Sequence, residues 1–246
     1  MSSHTIQLVD TTVLLDSCLL DITSLSTTKL AVDLEGVNLC RDGTISLLQI
    51  LSVASQTIWI IDVTVLGVLA FSHSNLNGDT LKSVLEGSQV TKVFYDVRTD
   101  SDALFNLFGI KLSNTYDLQL LEVAARRSSG KKVSYVIGLG KVINQYIRPG
   151  SQWTRVKEEG AALLFPDKGG SYELFDKRPL DERVLQYSAQ DVNLLFQLQT
   201  MLESEIGRYE RAGWIRKVIQ GSSRRVDEAH LPIYPKGRQR AIATFF

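Results

Sequence analysis

Three short runs of aliphatic and β-branched residues follow one another early in the chain: "KLAVDLEGVNL" at 29–39, "TISLLQILSV" at 44–53 and "TIWIIDV" at 57–63. The linkers between them, "CRDG" and "ASQ", are rich in the residues that favour tight turns. Runs of this length and composition favour β-strands, and linkers this short join antiparallel neighbours. The sequence therefore predicts a three-stranded antiparallel meander.

Helical and strand patterns alternate around this meander. A first helix is predicted over 10–22, and a short helix "DTLKSVLEG" precedes a strand "TKVFYD" and a helix from Thr99 to the glycine of "FG" at 108–109. Such alternation is typical of parallel strands covered by helices. We therefore expect an α/β fold whose mixed sheet has three antiparallel strands extended by parallel strands, with helices on both faces. Further helices are predicted over 117–128, 134–146, 152–164 and 182–205, with the loop "FPDKGGSYELFDKRPL" before the last.

Composition and cysteine usage limit the class of protein. A chain of 246 residues with 44% hydrophobic content can form one large domain with its own core. No apolar run approaches the ~20 residues that cross a bilayer, and "MSSHTIQLVD" lacks the profile of a secretory signal. We therefore expect an intracellular protein without a membrane partner, in the cytoplasm or the nucleus. Cys18 and Cys40 are isolated, so neither a disulfide framework nor a zinc site is expected.

The charges are unevenly distributed although the net charge is zero. Residues 123–157 contain eight Lys or Arg and no Asp or Glu, which makes this stretch either a solvated basic surface or an electropositive region that attracts an anion. A second basic region, "SSRRVDEAHLPIYPKGRQR", lies near the C-terminus. Its Pro, Gly and Ser content favours an extended tail over a packed element.

Two acidic residues interrupt the first predicted strand, in "LAVDLEG". Side chains alternate between the faces of a strand, so Asp33 and Glu35 project to one side while Val32 and Leu34 project to the other. Two carboxylates about 7 Å apart along one strand face repel each other unless a cation or water lies between them. The pair therefore indicates either a solvent-facing edge strand or a cation site.

Other acidic residues occur where they can reach the same point. Tyr187 and Asp191 in "YSAQD" lie on one face of a predicted helix. Asp96, Asp100 and Asp102 lie at a strand-to-helix junction, where sheet-based folds place ligand groups. Each residue also has a structural explanation, as a helix-start acid, a core aromatic or a surface charge. Together they suggest four carboxylates and a phenol that converge from three elements.

Three segments resemble the exonuclease motifs of the ribonuclease D branch of the DEDD 3'-5' exonuclease superfamily, in its tyrosine form: "VDLEG", "YDVRTDSDALFNLFGI" and "RPLDERVLQYSAQD". The segments "TYDLQLLE" and "GLGKVINQYI" are similar to family segments between the second and third motifs. The loop before the third motif is longer than is usual in ribonuclease D proper, and only about 40 residues follow the exonuclease region. In both respects exonuclease-domain proteins related to Egalitarian and the Werner-type exonucleases are closer. The resemblance implies a ribonuclease H-like fold with an exonuclease domain over 5–205. Residues 206–246 would then form a C-terminal extension that is partly a basic tail.

The resemblance also implies site residues and a cofactor. Asp33, Glu35, Asp100 and Asp191 would hold two Mg²⁺ or Mn²⁺ ions, with Asp33 bridging both and Asp100 holding the second. Asp100 is selected because the family acid lies nine residues before the glycine of "FG", which makes the neighbouring Asp96 and Asp102 bystanders. Tyr187 would orient the attacking water. The implied activity is a metal-dependent 3'-5' exonuclease that releases nucleoside 5'-monophosphates.

Substrate contacts are less specific in the sequence. Gly36 would let a substrate backbone pass close to the metal-binding strand, or would simply serve a turn. Arg178 would contact a phosphate or hold the start of the last helix. The partner expected from the resemblance is the 3' end of single-stranded RNA or DNA, and the sequence does not choose between the two. Two alternatives remain, a catalytically silent nucleic-acid-binding or adaptor module on the same fold and another metal-dependent phosphoesterase.

Overall fold

A six-stranded sheet forms the centre of the computed structural model, which describes residues 4–233 and 240–243. The strands are β1 (Thr5–Val9), β2 (Lys29–Glu35), β3 (Leu47–Ser52), β4 (Thr57–Asp62), β5 (Thr91–Phe94) and β6 (Thr115–Asp117). The helices are α1 (Thr12–Ile22), α2 (Val63–Leu66), α3 (Leu69–Ser72), α4 (Leu81–Glu86), α5 (Arg98–Phe108), α6 (Leu118–Ser128), α7 (Leu139–Tyr146), α8 (Ser151–Leu164), α9 (Glu182–Asn193), α10 (Leu195–Glu205) and α11 (Arg211–Glu228). Short 3₁₀ turns at Pro166–Lys168 and Tyr172–Phe175 lie in the predicted loop before α9.

The sheet has the predicted mixed topology, with the strand order β1-β4-β3-β2-β5-β6. Strands β2, β3 and β4 form the antiparallel meander, and in its register Asp33 lies opposite Gln49. Strands β1, β5 and β6 extend it by parallel pairing. The predicted α/β fold, with three antiparallel strands extended by parallel strands, is therefore confirmed.

Alternation along the strands divides the core into two layers. On β2, Leu30, Val32 and Leu34 face a core formed with α1, α4 and α5. Ala31 faces the opposite core, which is formed with α6, α9 and α10. Helices therefore cover both faces, as predicted, and the face that carries Asp33 and Glu35 is the one that α9 covers.

Several element boundaries differ from the sequence predictions. Strands β1 and β6 were not predicted, because runs of five and three residues are too short to establish a period. The helix predicted over 182–205 is two helices that meet at Leu194, whose buried side chain keeps the apolar spacing continuous across the break. The helix predicted over 134–146 begins only at Leu139, because Val136 instead pairs with Ala241 through backbone hydrogen bonding.

The predicted extended tail is wrong for residues 222–228. These residues form the second half of α11, which packs against β6, α5 and α6. Val218, Ser222 and Arg225 are fully buried along one face of α11. Their three- and four-residue spacing is helical, but the neighbouring Arg and Ser residues obscured it. Within the predicted tail, residues 234–239 lie outside the described part of the chain.

No helix in the described ranges 4–233 and 240–243 has both the length and the apolar character needed to cross a membrane.

Candidate metal and catalytic site

Strand β2 and helix α9 bring three predicted acidic residues together. Carboxylate oxygens of Asp33, Glu35 and Asp191 all lie within 4.8 Å of one another. A single cation at ~2.1 to 2.5 Å from each oxygen can bridge this span. Among the residues that the structure describes, these three form the one such group of acidic, His or Cys side chains. The donors are hard oxygen ligands, which suit Mg²⁺ or Mn²⁺.

The proximity of the three carboxylates changes their acidity. Burial raises the pKa of the Asp33 carboxyl well above its usual value, and the negative charges of Asp191 and Asp100 raise it further. Burial and the charge of Asp191 raise the pKa of Glu35 in the same way. Without a compensating cation this group therefore favours protonation. A bound divalent ion would favour the ionised form.

Tyr187 lies one helical turn before Asp191 on α9 and lines the same cavity. Burial, followed by the charges of Asp191 and Glu35, raises the pKa of the Tyr187 hydroxyl well above its usual value. The phenol is therefore protonated at neutral pH. It can donate a hydrogen bond to a water or a phosphate oxygen, but it cannot act as a general base.

Asp100 is not a member of the three-carboxylate group. It occupies the first turn of α5 and is 5% exposed. Burial and the charge of Asp96 raise the pKa of the Asp100 carboxyl, while Arg240 opposes this effect. Because Asp100 raises the pKa of Asp33, the two carboxylates share one electrostatic environment. The structure thus brings together three of the four predicted ligands, and the fourth, Asp100, acts on Asp33 through its charge.

The two other acids of the second motif are held by arginines. Asp102 is fully buried and accepts hydrogen bonds from the backbone N–H of Arg41 at 2.7 Å and from its Nε at 2.8 Å. Asp96 accepts from Nε and Nη2 of Arg98 at 2.5 and 2.7 Å. Both carboxylates are therefore partnered inside the protein, although Asp96 also lines the site cavity.

An open cavity of about 320 Å³ gives access to the site. Its lining combines the predicted site residues Asp33, Glu35, Tyr187 and Asp191 with Leu34, Tyr95, Asp96, Gln119, Gly138 and Leu139. A larger cavity of about 730 Å³ lies between β6 and α11 and contains none of the predicted site residues. The smaller cavity is therefore the candidate active site, because converging polar side chains identify a functional site better than cavity volume does.

Lys157 on α8 is a site residue that the sequence did not single out. Its Nζ donates a hydrogen bond to Asp191 Oδ1 at 2.5 Å and lies 3.7 Å from the centre of the Tyr187 ring. The sequence identified Lys157 only as the last member of a basic stretch. Its contact arises from the packing of α8 on α9, which no local pattern reveals.

Gly160 makes this packing possible. A Cβ at Gly160 would lie 2.3 Å from Cδ2 of Tyr187, so the ring passes directly over the helix backbone. A glycine inside "VKEEGAALL" is about 1 kcal/mol less favourable for a helix than alanine. A glycine inside a helix was therefore the sequence signal for this contact, because it indicates that another part of the chain approaches the helix backbone closely.

Arg178 and Gly36 have defined structural contacts. Arg178 donates from Nε and Nη2 to the carboxylate of the buried Asp62 at 2.5 and 2.6 Å. This pair ties the loop before α9 to the end of β4. A Cβ at Gly36 would lie 2.1 Å from the carbonyl oxygen of Thr44, so the turn after β2 requires glycine. Substrate contacts by either residue stay predictions.

The β5–α5 junction that carries Asp100 is supported from α11. Arg225 is fully buried and donates to Asp117 Oδ2 at 2.6 Å. Asp117 in turn accepts from the backbone N–H groups of Asp96 and Val97 at 2.9 and 3.1 Å. The C-terminal helix therefore helps to fix the backbone immediately before Asp100. The sequence missed this role because Arg225 was assigned to an extended tail.

Comparisons with known proteins agree with this architecture. The piRNA biogenesis protein EXD1 of Mus musculus is 27% identical over 179 residues, which is 72% of this chain and 29% of that protein. The chain thus spans less than a third of this relative. Trypanosoma brucei RNase D in complex with RNA U12 superposes with a TM-score of 0.76 at 21% identity, over 96% of this chain and 74% of that chain. Brucella melitensis NrnC with bound Mg²⁺ gives a TM-score of 0.62 at 16% identity, over 95% of this chain and 100% of that chain.

These likenesses establish an RNase D-like fold with the mixed, ribonuclease H-like sheet described above. A family model described as 3'-5' exonuclease matches residues 6–207, from β1 to just beyond α10. The match includes β2, the β5–α5 junction and α9, which carry the candidate site. The chain therefore belongs to the 3'-5' exonuclease family.

Proposed function

We propose that this chain is a metal-dependent exonuclease of the tyrosine-containing DEDD type. It would hydrolyse the terminal phosphodiester bond at the 3' end of a nucleic acid and release nucleoside 5'-monophosphates. The observation that carries the proposal is the convergence of Asp33, Glu35 and Asp191, beside Tyr187, in one open cavity.

The four acids have distinct roles in this proposal. Asp33, Glu35 and Asp191 lie close enough to hold one Mg²⁺ or Mn²⁺ ion together. The motif resemblance assigns Asp33 and Asp100 to the second ion, and the effect of the Asp100 charge on Asp33 supports this assignment. Two such ions supply charge stabilisation at the attacking and leaving oxygens and lower the pKa of water.

Tyr187 would position the attacking water. Its hydroxyl is protonated because burial and neighbouring carboxylates raise its pKa, so it serves as a hydrogen-bond donor. The ring is held in place by the backbone of α8 at Gly160 and by an edge contact with Phe165, with ring centres 6.2 Å apart. A fixed donor of this kind contributes orientation and not proton abstraction.

The path of the substrate strand is suggested by a second cavity. This cavity, of about 710 Å³, shares Gly138 and Leu139 with the site cavity and extends along the start of α7 to Lys141. Lys141 is exposed and belongs to the basic stretch 123–157. Other exposed cations of the stretch are Lys131, Lys132, Arg148 and Arg155. A phosphate backbone that leaves the site along this groove would meet positive charge, whose effect weakens with salt.

Single-stranded RNA is the first substrate to test, because the T. brucei relative was crystallised with RNA. The relative with bound Mg²⁺ supports the same choice of cofactor. An intracellular location, in the cytoplasm or the nucleus, remains part of the proposal.

The test uses matched RNA and DNA oligonucleotides, labelled at the 5' or 3' end, with Mg²⁺ or Mn²⁺. The proposal expects stepwise shortening of the 5'-labelled strand, direct release of a labelled mononucleotide from the 3' end, and inhibition by EDTA. Asp33→Ala should abolish the products, and Asp10→Asn, a change at an exposed acid outside the site, should not. Products that persist in Asp33→Ala would refute the assignment.

The same assay separates the alternatives. Oligonucleotide binding without turnover, even with Mn²⁺, would favour a catalytically silent binding or adaptor module. Release of inorganic phosphate from mononucleotides would favour a different phosphoesterase.

A further inference from the structure

Lys157 places a positive charge directly against a predicted metal ligand. Its side chain leaves α8 and its Nζ contacts Asp191 Oδ1 at 2.5 Å. The side chains of Lys157 and Asp191 are 17% and 12% exposed, so the pair is largely shielded from solvent. A pair this well shielded is screened much less by salt than a surface ion pair.

The ammonium acts on the whole carboxylate group and not on Asp191 alone. Carboxylate oxygens of Asp33 and Glu35 lie within 4.8 Å of an Asp191 oxygen, so an ammonium hydrogen-bonded to Asp191 is close to all three acids. It also lies over the face of the Tyr187 ring, at 3.7 Å from the ring centre, which is a favourable position for a cation. Lys157 therefore has the location and the charge of a counter-ion for the group.

Other nearby cations are directed to different acids. Arg98 binds Asp96, and Arg225 binds Asp117. Arg240 donates a hydrogen bond to Thr99 Oγ1 at 2.7 Å, and its charge acts on Asp96 and Asp100. On the side of the site that faces α8, the positive charge is therefore supplied by Lys157.

A divalent ion held by Asp191 would lie close to this ammonium. An ion bonded at ~2.1 Å to a carboxylate oxygen lies within a few ångströms of a group hydrogen-bonded to the same carboxylate, and the two positive charges repel strongly at that range. The ion and Lys157 therefore compete for Asp191. The long, flexible lysine stem allows the ammonium to move away while α8 stays in place.

We infer that Lys157 is an internal counter-ion of the ion-free site and is displaced from Asp191 when a divalent ion binds. This inference rests on the proposed function, because it assumes that Asp33, Glu35 and Asp191 bind the ion. Lys157 would stabilise the ion-free protein and weaken its affinity for the ion. The displaced ammonium would then be available to a substrate phosphate at the mouth of the cavity.

The direct test measures the chemical accessibility of Lys157. The full chain is treated with an amine-acetylating reagent in EDTA or in saturating Mn²⁺, and modification of each lysine is quantified by peptide mass spectrometry. The inference expects a several-fold rise in Lys157 acetylation with Mn²⁺. Lys168, which is exposed in the loop before α9, should react equally in both conditions and serves as the control.

A variant provides the second measurement. Lys157→Met should lower the melting temperature in EDTA and bind Mn²⁺ several-fold more tightly by calorimetry, so its Mn²⁺-induced rise in melting temperature should exceed that of the wild type. Lys168→Met should match the wild type in both respects.

The outcomes separate this inference from the proposed function. If the wild type binds Mn²⁺ but the acetylation of Lys157 does not rise, or if Lys157→Met binds the ion no more tightly, the counter-ion role is overturned and the metal site stands. If the wild type binds no Mn²⁺ at all, both the proposed function and the counter-ion role are overturned.

Discussion

Tyr187 combines a raised pKa with a fixed ring, and these two properties define what its hydroxyl can do. Removing the hydroxyl in Tyr187→Phe should lower kcat by about 10²-fold, because the attacking water loses the donor that orients it. The Mn²⁺-induced rise in melting temperature should persist, because the three carboxylates are unchanged. Steady-state kinetics and thermal melting measure the two effects. A Phe variant with wild-type kcat would remove Tyr187 from the mechanism.

Lys92 allows a test of pH dependence away from the metal site. It is fully buried on β5, and burial lowers its pKa to about 8. The unfolded chain keeps this proton up to a pKa of ~10.4, so between these values the unfolded state binds more protons and the wild type gains stability as pH rises. Below pH 8 the folded chain carries the full unfavourable burial of the charge.

Replacing Lys92 should therefore stabilise the protein near neutrality. Lys92→Met is expected to raise the free energy of unfolding at pH 7 by about 1 to 2 kcal/mol, even though the hydrogen bond from Nζ to the Gly87 carbonyl is lost. The gain should shrink as pH rises from 8 towards 10. Urea denaturation at several pH values measures it, with Lys111→Met at an exposed position as the control. A gain that does not vary with pH would contradict the assigned cause.

At the level of single residues, the sequence identified what lies on one element. Asp33 and Glu35 share a strand face, and Tyr187 and Asp191 share a helix face, because strand and helix periods determine these relations. Lys157 and Gly160 were missed because their roles depend on how α8 packs against α9. Contacts between elements have no local pattern in a single sequence.

Among the elements, α8 and α9 meet at a position that accepts only glycine. Gly160→Ala should gain helix propensity but drive a Cβ into the Tyr187 ring, which has to shift or tilt. We expect a lower melting temperature and a loss of kcat larger than the loss of stability explains. Gly213→Ala in α11, where a Cβ meets nothing within 4 Å, should stabilise by up to about 1 kcal/mol. If both variants were equally stable and active, the close approach would not matter for function.

Helix α11 supports the second motif through one buried pair. Arg225→Met leaves the fully buried carboxylate of Asp117 without its arginine, which should cost about 3 to 5 kcal/mol of unfolding free energy. Arg224→Met, one position away on the exposed side, should stay within ~0.5 kcal/mol of the wild type. Chemical denaturation compares the two. If Arg225→Met lowered the free energy of unfolding no more than Arg224→Met, the buried pair with Asp117 would contribute little to the stability of the fold.

The elements that the sequence predicted are those with strong local signals. The meander has β-branched runs and turn residues, and α5 ends at Gly109, whose φ of 63° suits glycine. Helix α11 was missed because composition near Ser222 suggested a tail, whereas its stability comes from burial against β6, α5 and α6. Tertiary packing overrode composition there.

At the scale of the whole molecule, the sheet separates two helical layers, and the acidic strand β2 lies between them. One face of β2 is apolar and closes a core with α1, α4 and α5. The other face carries Asp33 and Glu35 towards α9. The mixed topology was predictable from the order of the elements. Strand β2 pairs with β3 on one side and with β5 on the other, so its two acids lie in the interior of the sheet. Two half-buried acids on one face of a central strand require either compensating positive charge or protonation.

The decisive measurement is the melting temperature of the wild type and of Asp33→Asn, each in EDTA and in saturating Mg²⁺ or Mn²⁺. In the ion-free state the variant should be at least as stable as the wild type, because one of the mutually repelling carboxylates is neutral. Divalent ions should raise the melting temperature of the wild type through ligand linkage and leave that of the variant nearly unchanged. An equal rise in both proteins would show that the acidic strand β2 does not hold the ion.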